Sequence, residues 1–241
     1  MSEERLDRVL ASTGRWSRRE AKQLVREGRV LVDGLPAPSA EGKLDPERTS
    51  IRVDGEDIGY RRVTWLMMNK PAGVLSATED GRGSTVLDLL PPDLRRIGLF
   101  PVGRLDRDTV GLLLLTDDGA LAHRLLSPRH HVDKRYFVRV EGRLTEEDGL
   151  AFRRGMTLSD GLVCLPAELE ILRTGETSEA LVTLREGKFH QIKRMLAQQG
   201  KPVLFLRREE MGGLPLDPSL GPGEYRFLSA NELEKLTEQG K

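Results

Sequence analysis

The chain has 241 residues, 38% hydrophobic and 32% charged, enough to bury a core in one large domain or in a small and a medium one. No apolar run nears the ~20 residues that span a bilayer, the start MSEERLDRVL lacks the basic and apolar regions of a secretory leader, and a single cysteine, Cys164, excludes a disulfide framework or a Cys-based zinc site. The formal net charge is zero, but Arg15, Arg18, Arg19, Lys22, Arg26 and Arg29 crowd the beginning, and Lys188, Lys193, Arg194, Lys201, Arg207 and Arg208 crowd a later stretch, so basic patches that could bind phosphate, or merely solvated helix faces, lie within a neutral total. A cytoplasmic protein without membrane contact is expected.

In chain order, Leu6, Val9 and Leu10 fall at helical spacing. Ser17 and Glu20 form a capping box for a helix whose apolar stripe is Ala21, Leu24 and Val25, with Gly28 at its end. Val30–Val32 and Ile51–Val53 read as short strands, each ended by an Asp-Gly hairpin signal, Asp33-Gly34 and Asp54-Gly55. Two helices and hairpin-like strands over residues 1–58 are too small for an enzyme and fit a binding module. Residues 59–63, with Gly59-Tyr60-Arg61-Arg62, read as a linker.

Beyond it, over 64–241, strands alternate with helices. Thr64–Met68 is strand-like and stops at Lys70-Pro71-Ala72-Gly73. Gly111–Thr116 holds a buried Leu run, and Tyr136–Val140 and Ala180–Leu184 alternate as half-buried strands. Thr145 caps a helix ending at Gly155; residues 189–199 have helical spacing with Gly200 as their stop; Ser229 and Glu232 form a capping box for a last helix. The fold class is α+β, with a mixed, mainly antiparallel sheet and flanking helices.

Metal catalysis is poorly supported, because His130 and His131 are adjacent and no acid–histidine spacing matches a metal site. No phosphate loop is present, and Cys164 sits in an apolar run as core rather than as a nucleophile. What remains is carboxylate chemistry on a basic surface. The segment 101–111 (PVGRLDRDTVG) sets Asp106 and Asp108 beside Arg104 and Arg107 between glycines, a good place for a site on a strand-held loop, although a surface Arg-Asp turn would look the same.

Gly103-Arg104-Leu105-Asp106, with Asp108-Thr109 and the Leu112–Leu115 run, resembles the signature of the RNA pseudouridine synthases, specifically the branch typified by the small-subunit (16S) ribosomal RNA enzyme. Asn69-Lys70-Pro71-Ala72-Gly73, Lys134-Arg135-Tyr136 and the stretch Gly187–Met195 resemble further motifs of that family, in the expected order. The N-terminal unit, with Arg5-Leu6-Asp7, Ser17–Ala21 and Arg29–Gly34, resembles an S4 RNA-binding domain.

The resemblance implies an isomerase that needs no cofactor and no metal. It implies Asp106 as the essential carboxylate, whether it adds covalently to the sugar or assists cleavage otherwise. Lys193 is its implied cationic partner, a Lys where other branches carry Arg and therefore a point charge in place of a fork. Tyr136 would stack on the uracil and help remove the C5 proton; Ile192 would pack on the other face; Arg104 would steady the RNA backbone or the gap left by the extruded base. Asp108 reads as a turn or capping residue. In the N-terminal module Arg5, Arg18, Arg19, Lys22 and Arg29 are candidate phosphate contacts.

Residues 127–131 (SPRHH) and 222–226 (PGEYR) look more like the 16S enzyme than like large-subunit relatives. The expected partner is ribosomal RNA or a partly assembled small subunit, met by a monomer. A 23S ribosomal RNA synthase of the same branch and a non-catalytic RNA-binding assembly factor are the alternatives.

Overall fold

The computed structural model describes residues 3–127, 130 and 132–239. The chain forms two compact units: one runs through Thr64 and takes in Leu87–Phe100, and the other comprises Trp65–Val86 and the chain from Pro101 onward. Segment 87–100 therefore clusters with the N-terminal unit, although it lies beyond residue 63 in sequence.

In the first unit β1 (Glu4–Arg5) leads into α1 (Leu6–Ser12) and α2 (Arg18–Arg26). They are followed by β2 (Val30–Val32), β3 (Leu35–Pro36), β4 (Lys43–Leu44), β5 (Ile51–Val53) and β6 (Glu56–Asp57); α3 (Pro92–Arg96) belongs here too. The Ser17–Glu20 box is formed: the Glu20 carboxylate accepts from Ser17 N–H at 2.6 Å and Ser17 Oγ from Glu20 N–H at 3.2 Å. Both Asp-Gly pairs turn with positive φ at both residues, 50° and 82° at Asp33-Gly34 and 53° and 84° at Asp54-Gly55. That geometry matches the twist of the strands it joins and builds the sheet β3-β2-β5-β6. Leu6, Val9, Leu10, Ala21, Leu24, Val25, Val30, Ile51 and Val53 close a small core. Tyr60, read as linker, packs against this core, and its hydroxyl donates to Glu4 at 3.2 Å.

The second unit is built on β7 (Trp65–Lys70), β9 (Val110–Thr116), β10 (Lys134–Glu141), β13 (Glu168–Arg173), β14 (Thr177–Leu184), β15 (Val203–Met211) and β17 (Tyr225–Phe227). β8 (Phe100–Pro101) marks the junction of the units in the chain, β11 (Met156–Thr157) and β12 (Val163–Cys164) pair with each other, and β16 (Leu214–Pro215) folds back on β15. The sheet order is β13-β14-β10-β15-β9-β7-β17. Only the β9–β15 pairing is parallel among the named neighbours, so the sheet is mixed and mainly antiparallel as expected. Leu112–Leu115 on β9 are wholly buried, which is why that strand reads as a continuous apolar run and not as an alternation.

Four helices flank the sheet: α4 (Gly119–Leu126), α5 (Glu146–Arg154), α6 (Gln191–Gln198) and α7 (Ala230–Gln239). α5 lies along β13 and α6 against β15. No helix is long and apolar enough to cross a membrane among the described residues.

Close backbone approach fixes the centre of the sheet. Gly111 has φ 99°, and a Cβ there would lie 2.4 Å from the Arg208 carbonyl oxygen, so only glycine lets β9 meet β15 at this point. The loop bearing Asp106 enters β9 at Val110, the residue before it.

Candidate active site

The segment 104–109 is a tight turn in which Thr109 N–H donates to the Asp106 carbonyl at 3.1 Å. A second loop, after β7, zips onto it. Gly73 N–H donates to Arg107 O at 2.8 Å, Arg107 Nε returns a bond to Gly73 O at 3.0 Å, and Ser76 Oγ bonds both the carbonyl and the N–H of Leu105, at 3.0 and 3.1 Å. Lys70 is fully buried, and its ammonium donates to the carbonyls of Asp106 (3.1 Å), Thr109 (2.9 Å), Pro71 (3.0 Å) and Arg107 (3.4 Å). Burial pushes the Lys70 pKa down to about 8, against the opposing pull of Asp108 and Asp106. The Asn-Lys-Pro-Ala-Gly motif is thus the clamp of the Asp106 loop.

The Asp106 side chain faces α6. Lys193 Nζ lies 3.0 Å from Asp106 Oδ2 and donates to Asp108 Oδ1 at 2.5 Å. Burial works against the Lys193 charge, but the hydrogen bonds to Asp108 and Asp106 outweigh it and raise its pKa. The same bond from Lys193 holds the Asp108 carboxyl below its ordinary value. Asp108 is therefore an ion-pair partner rather than only a turn residue. His190, which sequence reading left without a role, places Nε2 3.4 Å from Asp106 Oδ1. Its backbone is left-handed, φ 50°, as it leads into α6. The ring stacks on Phe189 at 3.8 Å, and Phe189 is 68% exposed. The helix begins at Gln191, two residues later than its apolar spacing indicated, and that leaves Phe189 and His190 free to face the site.

Asp106 and Lys193 line one cleft with Tyr136, Ile192, Leu206 and Arg104. Tyr136 and Ile192 are buried walls, whereas Arg104 is exposed at the rim. The five sequence-read residues Arg104, Asp106, Tyr136, Ile192 and Lys193 thus converge on one place from a strand, a helix and a loop. A carboxylate held by a lysine, beside an aromatic wall and an aliphatic one, can receive a planar ring and act on the atom attached to it.

The N-terminal basic residues are not equivalent. Arg5 forks onto Asp7 (3.0 and 2.9 Å) and reaches Glu41 (3.1 Å), Lys22 pairs Glu41 at 3.0 Å, and Arg29 forks onto Asp54 (2.8 and 2.7 Å). These three are engaged with acids, whereas Arg18 and Arg19 stand exposed on the first turn of α2. No group of three His, Cys, Asp or Glu side chains able to hold a metal occurs among the described residues. His131, with Pro128 and Arg129 of the segment that resembles the 16S enzyme, lies outside the described residues.

Known proteins give the same outline. The sequence model of the RNA pseudouridylate synthase family matches residues 64–198, and that of the S4 domain matches residues 4–47. The chain is 47% identical to the "Uncharacterized RNA pseudouridine synthase YtzG" of Bacillus subtilis (strain 168), over 97% of this chain and 98% of that protein. It is 40% identical to "Ribosomal small subunit pseudouridine synthase A" of Vibrio cholerae, over 96% and 99%. A crystal structure of a pseudouridylate synthase, 35% identical, superposes with a TM-score of 0.68 over 96% of this chain and 99% of the other.

Proposed function

The chain belongs to the RNA pseudouridylate synthase family, and from that premise we propose that it isomerises a uridine of 16S ribosomal RNA to pseudouridine with Asp106 as the essential carboxylate. The observation that carries the assignment of Asp106 is its pairing with Lys193 inside a cleft walled by Tyr136 and Ile192. The relatives named for the ribosomal small subunit support the choice of RNA.

Isomerisation breaks the C1′–N1 bond, turns the uracil, joins C5 to C1′, removes the C5 proton and leaves one on N1. The balance closes without an outside electron or group. The target base must leave its stack, at a cost of a few kcal/mol. Tyr136 and Ile192 then hold the two faces of the ring, Tyr136 takes part in removing the C5 proton, and Asp106 acts at the sugar carbon. Lys193 is a positioning residue: it fixes the Asp106 carboxylate and concentrates positive charge where the carboxylate works. Arg104 at the rim, with the exposed Phe189 ring beside it in the cleft mouth, meets the RNA from which the base has left.

Residues 1–58 act as the S4-like RNA-holding module and 64–241 as the catalytic domain, joined through 59–63. Within the module Arg18 and Arg19 make the primary phosphate contacts, because Arg5, Lys22 and Arg29 must first be drawn from their carboxylates. The enzyme acts as a cytoplasmic monomer.

The substrate is tested by mapping pseudouridine, base by base, after wild type meets unmodified 16S transcript, 23S transcript, and partly assembled small-subunit particles. One modified position in 16S RNA, free or in particles, is expected. Modification of 23S RNA alone would move the substrate and leave the reaction standing.

A further inference from the structure

Beside the base cleft, and sharing its Tyr136, Arg104 and Lys188 walls, lies a second pocket with Lys134 and Arg208 in its lining. Both are strand residues turned inward: Lys134 precedes Tyr136 by two on β10, and Arg208 is the cross-strand partner of Tyr136 on β15. Lys134 is 7% exposed and Arg208 2%. Arg208 Nε donates to Leu112 O at 2.7 Å, but its Nη2 is buried with no hydrogen-bond partner. Lys134 Nζ donates to Val132 O at 2.9 Å and has two further donors.

Neither cation forms an ion pair among the described residues. Nearby acids are committed elsewhere. Asp133 pairs with Arg185 at 2.9 Å. Glu186 pairs with Lys188 at 3.0 Å and accepts from Gln191 at 2.6 Å and from Leu165 N–H at 2.8 Å. Burial pulls the Lys134 pKa down to about 8, and the Arg208 charge adds to that. Two buried like charges and an unused donor are costly in a fold unless an anion completes them.

We propose that Lys134 and Arg208 form a phosphate subsite that takes the backbone phosphate next to the flipped uridine. The inference rests on the proposed reaction for its ligand, and it adds a contact that fixes the sugar beside Asp106. A phosphate oxygen accepting from Arg208 Nη2 and Lys134 Nζ satisfies the orphaned donor and neutralises the pair. Tyr136, between Lys134 and Val138 on β10, lines both this pocket and the base cleft. One nucleotide therefore spans both.

The test uses small probes on the full chain: titration calorimetry with uridine, uridine 5′-monophosphate, uridine 3′-monophosphate and inorganic phosphate, for wild type, Lys134→Met and Arg208→Lys. Wild type is expected to bind one of the two monophosphates about tenfold or more tightly than uridine, and more tightly than inorganic phosphate. In Lys134→Met that advantage falls below about threefold while uridine binds as before. Near-UV circular dichroism identifies a variant that fails to fold, and if Arg208→Lys does so the Lys134→Met comparison decides alone. Equal binding of uridine and both monophosphates by wild type, or an advantage kept in Lys134→Met, overturns the subsite. Loss of uridine binding itself in Lys134→Met also overturns it, since the pair would then read the base. Inorganic phosphate binding as tightly as the nucleotides overturns the assignment to the RNA strand. A failure of the proposed reaction shows separately, as absence of pseudouridine in transcripts and particles, and leaves this binding comparison decisive.

Discussion

The buried ammonium of Lys70 donates a hydrogen bond to the backbone carbonyl of Asp106 at 3.1 Å, and so ties the end of β7 to the loop that presents the carboxylate. Lys70→Met removes that clamp and leaves the carbonyls of Asp106, Thr109 and Pro71 without their shared donor. We expect a loss of about 1–3 kcal/mol in urea unfolding. Turnover should fall by about a hundredfold, more than the stability loss explains, because a small displacement of the reacting group is costly. Unchanged turnover in a folded Lys70→Met protein would show that the loop holds itself.

Lys193 serves two carboxylates at once, at 3.0 Å to Asp106 and 2.5 Å to Asp108. Lys193→Met should lower kcat about a hundredfold or more with a smaller change in KM. Lys193→Arg keeps the charge and should recover most of the loss, within about tenfold of wild type. Asp108→Asn, which removes only the outer partner, should cost far less than Lys193→Met. Single-turnover rates on one RNA separate the three.

The two buried lysines predict a pH signature of folding. Lys70 and Lys134 both have folded pKa values near 8, below the ordinary lysine value of 10.5, chiefly through burial. Between those values the unfolded chain binds more protons than the folded one, so their contribution to stability rises with pH from about 8 towards 10.5. The Tyr60 hydroxyl, raised to about 12 by burial, opposes this only above its ordinary pKa of 10. The Cys164 thiol, pushed up from its ordinary 9.0 chiefly by burial, opposes it from about pH 9, so the clean window is pH 8 to 9. Urea unfolding there should show Lys134→Met with a shallower rise than wild type; parallel curves would contradict the assignment.

Local features were legible because they are set by neighbours in sequence. The Ser17–Glu20 box, the two Asp-Gly turns and the Leu112–Leu115 run all stand where their patterns placed them. The convergence of Arg104, Asp106, Tyr136, Ile192 and Lys193 was readable through the family resemblance, since spacing alone left a surface turn equally open. The clamp by Lys70 was not legible, because it joins residues 36 or more apart through the pairing of β7 with β9. Strand β15, Val203–Met211, gave no alternating signal: Arg207, Arg208, Glu209 and Glu210 interrupt it, yet it lies at the centre of the sheet and supplies Arg208. Counting basic residues also could not separate Arg5, Lys22 and Arg29, which pair with acids, from Arg18 and Arg19, which form no ion pair among the described residues.

That separation predicts which arginines govern RNA affinity. Exchanging Arg18 and Arg19 together for Gln should weaken binding to ribosomal RNA and reduce the slope of log affinity against log salt by about 1–2. Arg29→Gln should change the slope less and cost stability instead, because it breaks the fork onto Asp54. Filter binding at several salt concentrations, with thermal unfolding alongside, makes the comparison.

Whether Asp106 performs the chemistry is read from pseudouridine formation by Asp106→Asn beside wild type on the same unmodified 16S RNA. Asparagine keeps the shape of the side chain and removes its charge. The variant is expected to fold, to bind the RNA with an affinity close to wild type and to make no pseudouridine at the position wild type modifies. A folded Asp106→Asn protein that still modifies that position at a rate near wild type would contradict that role of Asp106.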